Sequence, residues 1–123
     1  MSDQKTVLIV ELAKELIEMI QQVAPSWKKV YFRYCHEEFK AGSNGSYVVD
    51  SKVLLIDPFK QDDFFRSMNE KSAHLLALLE KKQAVLLLVA DSDFNYDIKF
   101  EYENLDRWRI SKVKGATGVP DGL

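Results

Sequence analysis

Residues 91–106 read DSDFNYDIKFEYENLD, and this stretch decides the fold because it sorts its residue types by strict alternation. Every second position carries an aromatic or aliphatic side chain, and the positions between are polar or charged. The apolar set is Phe94, Tyr96, Ile98, Phe100 and Tyr102. Such alternation predicts a β-strand with one buried face and one solvated face.

The solvated face of this strand is acidic, and the excess negative charge is local. Six acids against the single Lys99 give residues 91–106 a net charge of −5, whereas residues 1–90 carry twelve acids and twelve Lys or Arg. Arg107 and Arg109 follow directly and are expected to neutralise part of it in cis. An acidic face favours a basic protein partner and disfavours nucleic acid. The candidate partner-binding residues are the six acids, here called the acidic ridge, and three aromatic residues expected at its rim: Asp91, Asp93, Asp97, Glu101, Glu103 and Asp106, with Tyr31, Tyr47 and Trp108.

The segments upstream of the ridge divide into two helices and four strands. Apolar residues recur at helical spacing over residues 4–22 and again over 60–82, where Asp57-Pro58 is typical of a helix start. Ala84–Ala90 is apolar without alternation, which is typical of a strand covered on both faces. Three more strands are predicted between the helices, with Lys40–Ser46 as a long hairpin loop: Val30–His36, Tyr47–Val49 and Lys52–Ile56.

This order, α-β-β-β-α-β-β, predicts an α+β fold in which two helices pack on one face of a five-stranded antiparallel sheet. The 123 residues suffice for one core, so we expect a single domain over 1–106 and a C-terminal tail over 107–123 whose end is mobile. The predicted core consists of the apolar members of each periodic set: Leu12, Leu16, Ile20, Phe32, Phe65, Met68, Leu76, Leu87, Phe100 and Tyr102.

The predicted strand at Ala84–Ala90 would expose apolar side chains on the outer face of the sheet unless another segment covers them. Its neighbour presents acids to water on that face, yet both alternating sets of the earlier strand are apolar, including Val85, Leu87 and Val89. An apolar patch of this size needs a cover. Trp108 and Ile110 of the tail, a second copy of the chain or a bound partner could each supply it.

No catalytic or metal-binding constellation is visible in the sequence. Cys35 and His36 are consecutive on a predicted strand, so their side chains point to opposite faces and cannot form a nucleophile and base pair. The only other histidine, His74, lies in the second helix, which leaves too few ligands for zinc. The paired carboxylates Asp62 and Asp63 suit a helix first turn. We therefore expect no enzymatic activity, no metal and no cofactor.

Cysteine content and the N-terminal sequence indicate a compartment. The single cysteine cannot form an internal disulfide, which favours a reducing environment. The first twenty residues, MSDQKTVLIVELAKELIEMI, carry acids within the apolar stretch and lack a cleavage site of small residues. These features predict a cytoplasmic protein without a membrane partner.

The segment FNYDIKFEYENLD, with the early helix, PSWKKVYFRY and a hydrophobic second helix, resembles the YezG-like immunity (antitoxin) proteins of bacterial polymorphic-toxin and contact-dependent growth inhibition systems. The resemblance is carried by Trp27 with the aromatic strand 30–34, and by Phe94-Asn95 with the alternation up to Glu103. The order of elements extends it to about Asp106. It implies a small cytosolic α+β protein that binds and inactivates a cognate toxin C-terminal domain, often a nuclease.

Three hypotheses remain open at the level of sequence. The first is an immunity protein that occludes a toxin through the acidic face. The second is a non-enzymatic adaptor or interaction module that forms a homodimer through the apolar outer face of residues 85–89. The third is an enzyme or small-ligand binder whose site the sequence does not reveal.

Overall fold

The computed structural model describes residues 3–123, so Met1 and Ser2, with which the predicted domain begins, lie outside the described residues. The chain folds into two helices and a five-stranded antiparallel sheet, which confirms the predicted α+β class and element order. The elements in chain order are α1 (Gln4–Val23), β1 (Trp27–His36), β2 (Ala41–Val49), β3 (Lys52–Leu55), α2 (Asp62–Leu78), β4 (Ala84–Asp91) and β5 (Tyr96–Glu101).

The sheet has the order β3-β2-β1-β4-β5, so β1 lies at the centre and β3 and β5 form the two edges. Short turns connect β1 to β2, β2 to β3 and β4 to β5, and each of these pairs is a hairpin. The non-local pairing is that of β1 with β4, in which Phe32 lies opposite Leu88. The central strand is therefore paired on both sides, whereas β5 pairs with β4 alone within residues 3–123.

Both helices pack on the same face of the sheet. α1 contacts β1 and β4, and α2 contacts β1 and β2. A polar network joins the helices: the ammonium group of Lys71 donates to the Glu15 carboxylate at 2.7 Å, and Ser67 Oγ donates to the same oxygen at 2.8 Å. Neither helix contacts β5 extensively, so this edge of the sheet projects beyond the helix layer.

The core between helices and sheet contains seven of the ten predicted core residues in fully or nearly fully buried positions: Leu12, Leu16, Ile20, Phe32, Phe65, Met68 and Leu76. Leu87 is also buried, but on the opposite face of the sheet. Phe100 and Tyr102 only reach the border of the core and are partly buried. The reason is that β5 is an edge strand outside the helix layer, where a side chain on the inner face has neighbours on one side only.

The predicted hairpin loop at Lys40–Ser46 is wrong, because most of it belongs to strand β2. The turn lies earlier, where the Glu37 N–H donates to the Lys40 carbonyl at 2.8 Å. Gly45 explains the misreading, since it lies in the strand where a Cβ would stand 2.6 Å from the Tyr31 carbonyl oxygen and 2.7 Å from Ile56 Cδ1. Its small size permits close packing and does not mark a flexible turn.

Two predicted element starts also shift. The Asp57 carboxylate accepts bonds from the N–H groups of Phe59 at 2.9 Å and Lys60 at 3.3 Å, so it caps a separate turn, and α2 begins only at Asp62. Strand β5 begins at Tyr96, because Phe94 adopts a left-handed conformation with φ of 68° and its N–H donates to the Asp91 carbonyl within the turn. In both cases, residues of the turn directly before the element were assigned to the element itself, so the predicted helix and the predicted strand begin too early.

The C-terminal tail covers the outer face of the sheet. Of the three predicted possibilities, the tail, a second copy and a bound partner, the structure shows the tail. Trp108 is 3% exposed and packs with Val85 and Leu87, and Ile110 is also buried. The apolar outer face of β4 is therefore covered by the tail of the same chain. The homodimer hypothesis relied on this face, which the tail already occupies, so no second copy is needed there.

Hydrogen bonds fasten the tail along its length. The Arg33 guanidinium donates to the carbonyl oxygens of Leu105 at 2.7 Å and Arg107 at 2.9 Å. Asn44 Nδ2 donates to the Ile110 carbonyl at 2.8 Å, and Ser46 Oγ donates to the Gly118 carbonyl at 2.6 Å. Part of the terminal segment is thus packed on the sheet, and mobility of the last residues stays a prediction.

Candidate functional site

The acidic ridge follows the free edge of the sheet. Asp91 and Asp93 lie in the turn before β5, Asp97 points outward from β5, Glu101 ends the strand, and two further acids follow it, Glu103 and Asp106. The six residues of β5 span about 20 Å at the usual rise of a strand. The alternation predicted from sequence is correct in direction, since Ile98 and Phe100 pack towards the helices. The ridge thus lies at one side of the molecule, outside the helix layer.

Glu101 is an anchor for the tail and is not a free surface charge. Its carboxylate pairs with the Arg107 guanidinium at 2.7 Å and accepts the N–H groups of Glu103 at 3.2 Å and Asn104 at 3.3 Å. Its side chain is only 18% exposed. The hydrogen bond from Arg107, followed by those two backbone bonds, lowers the pKa of the Glu101 carboxyl.

Two more ridge acids are engaged within the chain. Asp106 pairs with Arg109, and the hydrogen bond from that guanidinium lowers the pKa of the Asp106 carboxyl. Asp91 Oδ1 accepts the N–H groups of Asp93 at 2.9 Å and Asn95 at 3.1 Å. Desolvation favours a higher pKa for Asp91, but these hydrogen bonds outweigh it and lower the pKa. The expected neutralisation in cis by the basic tail is confirmed at Glu101 and Asp106.

The remaining ridge acids, Asp93, Asp97 and Glu103, are exposed. Among residues 3–123, no Lys, Arg or His nitrogen lies within ion-pair distance of their carboxylates. Lys99 lies between them on the same outer face of β5 and is also exposed. The charge that this edge presents to a partner is therefore that of these three exposed acids and Lys99, together with the half-buried Asp91, which has no ion-pair partner within residues 3–123.

Two of the three aromatic residues predicted at the rim, Tyr31 and Trp108, are buried and are not exposed anchors. Trp108 and Tyr31 are 3% and 4% exposed. Tyr31 lies on the outer face of the central strand that the tail crosses. Tyr47 is half-buried and packs against the core on the helix side. Next to the acidic ridge, the exposed aromatic residues are Phe94 and Tyr96, at 58% and 44% exposure. Sequence alternation assigned both inward and could not reveal that the helices stop short of this edge.

An apolar groove adjoins these two aromatic side chains. Its other wall is the side of α1 that carries Val10, Ala13 and Ile17. The groove encloses about 440 Å³. Lys14 and Glu18 of α1 stand at its margin and form a weak ion pair at 4.0 Å. The groove exists because the helix layer ends before the sheet does.

A second concave site lies on the opposite side of the sheet, between the turn after β1 and the tail. This cleft of about 400 Å³ is lined by Arg33, Cys35, Lys40 and Arg109. Lys40 lies 3.6 Å from the Glu37 carboxylate, and Arg109 pairs with an acid of the ridge. This cleft could not be predicted from the sequence, because the tail forms one of its walls. Its guanidinium groups are donors of the kind that bind carboxylates and phosphates.

Cys35 and His36 project to opposite faces, as the strand position predicts. The Tyr34 hydroxyl lies 2.9 Å from Nδ1 of His36 on the helix side. Cys35 packs with the tail, and its burial raises the pKa of the thiol more than the nearby Arg33 lowers it. A thiol with a raised pKa is a poor nucleophile at neutral pH. Within residues 3–123, no three His, Cys, Asp or Glu side chains are grouped so that they could hold a metal ion.

The fold and its surface define a two-layer α+β protein with an acidic, aromatic edge strand. No protein-family model matches the chain, and no curated protein matches it. The YezG-like family relationship therefore stays a hypothesis based on the sequence pattern. In the described part of the chain, neither helix has the length and apolar composition required to cross a membrane.

Proposed function

We propose that this chain is a cytoplasmic immunity protein of the YezG-like type, which binds and neutralises a cognate bacterial toxin C-terminal domain through the acidic ridge. The observation that carries the proposal is the edge of the sheet itself. Three exposed acids without an ion-pair partner in the described chain, Asp93, Asp97 and Glu103, follow this edge, and the exposed ring of Phe94 lies at its start, next to Asp93 in the chain. Charge provides attraction at long range, and an aromatic side chain provides apolar contact at short range.

Each kind of residue has a separate role in the proposed complex. Clustered charges of one sign raise the rate of association with a surface of opposite sign, by about ten- to a thousandfold in favourable cases. An exposed aromatic ring fills a pocket of the partner and slows dissociation. Phe94 takes the role first assigned to Tyr31 and Trp108, because those two rings are buried.

The ridge suits a toxin with a basic active-site groove, such as a nuclease. A nuclease binds phosphates with Lys and Arg, and an immunity protein that presents carboxylates occupies the same residues. The exposed acids extend from Asp93, before β5, through Asp97 within it to Glu103, after it, so they span about 20 Å or more. That span corresponds to several successive phosphates of a nucleic-acid strand.

The test is a growth-protection assay with a toxin C-terminal domain, which the proposal requires to be encoded in the reading frame next to that of this chain. Asp93→Lys combined with Glu103→Lys removes two exposed acids that make no side-chain ion pair within residues 3–123. Reversal of Glu101 is unsuitable, because it also breaks the anchor to Arg107. We expect the double variant to fold normally, to associate about tenfold or more slowly and to lose protection.

The matched control is Asp63→Lys combined with Glu70→Lys on α2, which changes the net charge by the same amount. Both control side chains are exposed and lie on the helix that packs over the other half of the sheet. The control should still protect. A ridge variant that has the circular dichroism spectrum of the parent and still protects fully would show that the toxin binds elsewhere.

A further inference from the structure

Strand β5 offers a free sheet edge with a self-complementary pattern of side chains. Its backbone pairs with β4 on one side, and within residues 3–123 no other segment pairs with it. Its inner face carries Tyr96, Ile98 and Phe100, and its outer face carries Asp97 and Lys99. An unprotected edge of this kind is a template for another strand.

We propose that the second copy of this chain is the occupant, and that two β5 strands pair antiparallel about a two-fold axis at Ile98. In that register Asp97 of each copy faces Lys99 of the other, so the interface contains two opposite-charge pairs. Tyr96 of each copy faces Phe100 of the other on the inner face. Directly opposed residues of antiparallel strands interact through their side chains, and both kinds of pair are attractive.

The charge pattern selects this register over its neighbours. With Lys99 on the axis, the two lysines face each other and Asp97 faces Glu101, which are repulsive pairs. With Asp97 on the axis, the two aspartates face each other. With Phe100 on the axis, Lys99 faces Glu101, but the Glu101 carboxylate is already held by Arg107 of its own chain. Registers displaced by one residue set the apolar face of one strand against the charged face of the other.

The groove beside β5 gives the second copy an apolar seat. In the paired arrangement, Phe100 of the second copy lies next to Tyr96, on the side where α1 presents Val10 and Ile17. The exposed surface of Tyr96, 44% in the isolated chain, is then covered. The result is a continuous ten-stranded sheet with all four helices on one face, an isologous arrangement that closes on itself.

This dimer is independent of the tail, which covers the other apolar surface of the sheet. It uses Asp97 and Lys99, and it leaves Asp93 and Glu103 outside the paired segments, because the chain turns away from the sheet at both ends of β5. Asp97 belongs to both surfaces, but the substitutions that test toxin binding, at Asp93 and Glu103, leave Asp97 and Lys99 unchanged. Loss of the dimer and loss of protection can be separated.

A charge-swap series measured by sedimentation velocity tests the proposal. Asp97→Lys alone sets lysine against lysine twice, and Lys99→Asp alone sets aspartate against aspartate twice. Each should weaken self-association by about tenfold or more, since two attractive pairs become repulsive. The double variant Asp97→Lys with Lys99→Asp restores both pairs at unchanged net charge and should dimerise as the parent does.

Disulfide trapping provides a second measurement. Ile98→Cys in a Cys35→Ser background should form a covalent dimer under mild oxidation, because opposed Cα atoms about 4.5–5.5 Å apart suit a disulfide. Leu54→Cys, at the opposite edge strand β3, is the control and should stay monomeric. A parent chain that sediments as a monomer at every concentration, a double variant no better than the single ones, or equal trapping at both edges would each overturn the proposal.

Discussion

Replacement of Trp108 by alanine should lower the unfolding free energy of the whole domain and not only detach the tail, because this ring covers the outer face of the sheet. The side chain is 3% exposed and packs with Val85 and Leu87. A buried aromatic side chain of about 150–250 Å², at about 25 cal/mol per Å², corresponds to about 4–6 kcal/mol. This area-based figure is an upper bound because the unfolded chain is partly compact, so we expect a loss of about 3–5 kcal/mol.

Urea unfolding followed by far-ultraviolet circular dichroism measures this loss, and the fluorescence of the remaining Trp27, which is buried under the helices, reports on the main core. Phe39→Ala is the matched control, since that aromatic ring is 92% exposed and should change the unfolding free energy by less than about 0.5 kcal/mol. A loss below about 1 kcal/mol in Trp108→Ala, with an unchanged denaturant slope, would refute the conclusion that the tail is part of the folded unit.

Three further substitutions test the packing and the fastening of the tail. Gly45→Ala should cost about 1–3 kcal/mol in urea unfolding, because the new Cβ meets the central strand, whereas Gly42→Ala, with nothing within 4 Å, should be nearly neutral. Arg33→Lys should release residues 105–107 to limited proteolysis, because an ammonium group cannot reproduce the two guanidinium bonds to backbone carbonyls. A resistant tail in that variant would contradict this role. The pKa of the Glu101 carboxyl is lowered in the folded protein, so the ionised carboxylate stabilises the fold. This stabilisation is complete above the pKa of Glu in the unfolded chain, about 4.3, and is lost as the pH falls through the lower pKa of the folded state. Glu101→Gln should therefore lose less stability on acidification than the parent. Identical acid unfolding curves would be evidence against the contribution of the Glu101 to Arg107 pair.

Local periodicity predicted the elements correctly where side chains repeat over several turns or several strand residues. The first helix was predicted over residues 4–22 and runs over Gln4–Val23. The alternation in β5 also separated Ile98 and Phe100 from Asp97. These features depend on neighbours two to four positions away, and the chain carries that information itself.

Boundaries and small residues were predicted less well, because the same residue types serve different purposes. Gly45 was interpreted as part of a loop, yet its lack of a Cβ lets Ile56 and the backbone of Tyr31 approach. Asp57 was interpreted as the cap of α2, yet it caps the turn before that helix. A glycine or an aspartate indicates a permitted conformation, and long-range packing decides which one is used.

The candidate site shows the division most clearly. The sequence alone predicted the acidic ridge, the concentration of negative charge between Asp91 and Asp106, and an apolar face on the opposite side of the strand. The strand order decided the rest: Asp97 stays exposed because β5 is an edge strand, Glu101 is occupied by Arg107, and Trp108 is buried because the tail returns across β4 and β1. Charge and periodicity are local properties of the chain, whereas exposure depends on which distant segments lie above each residue, and these contacts exist only in the folded protein.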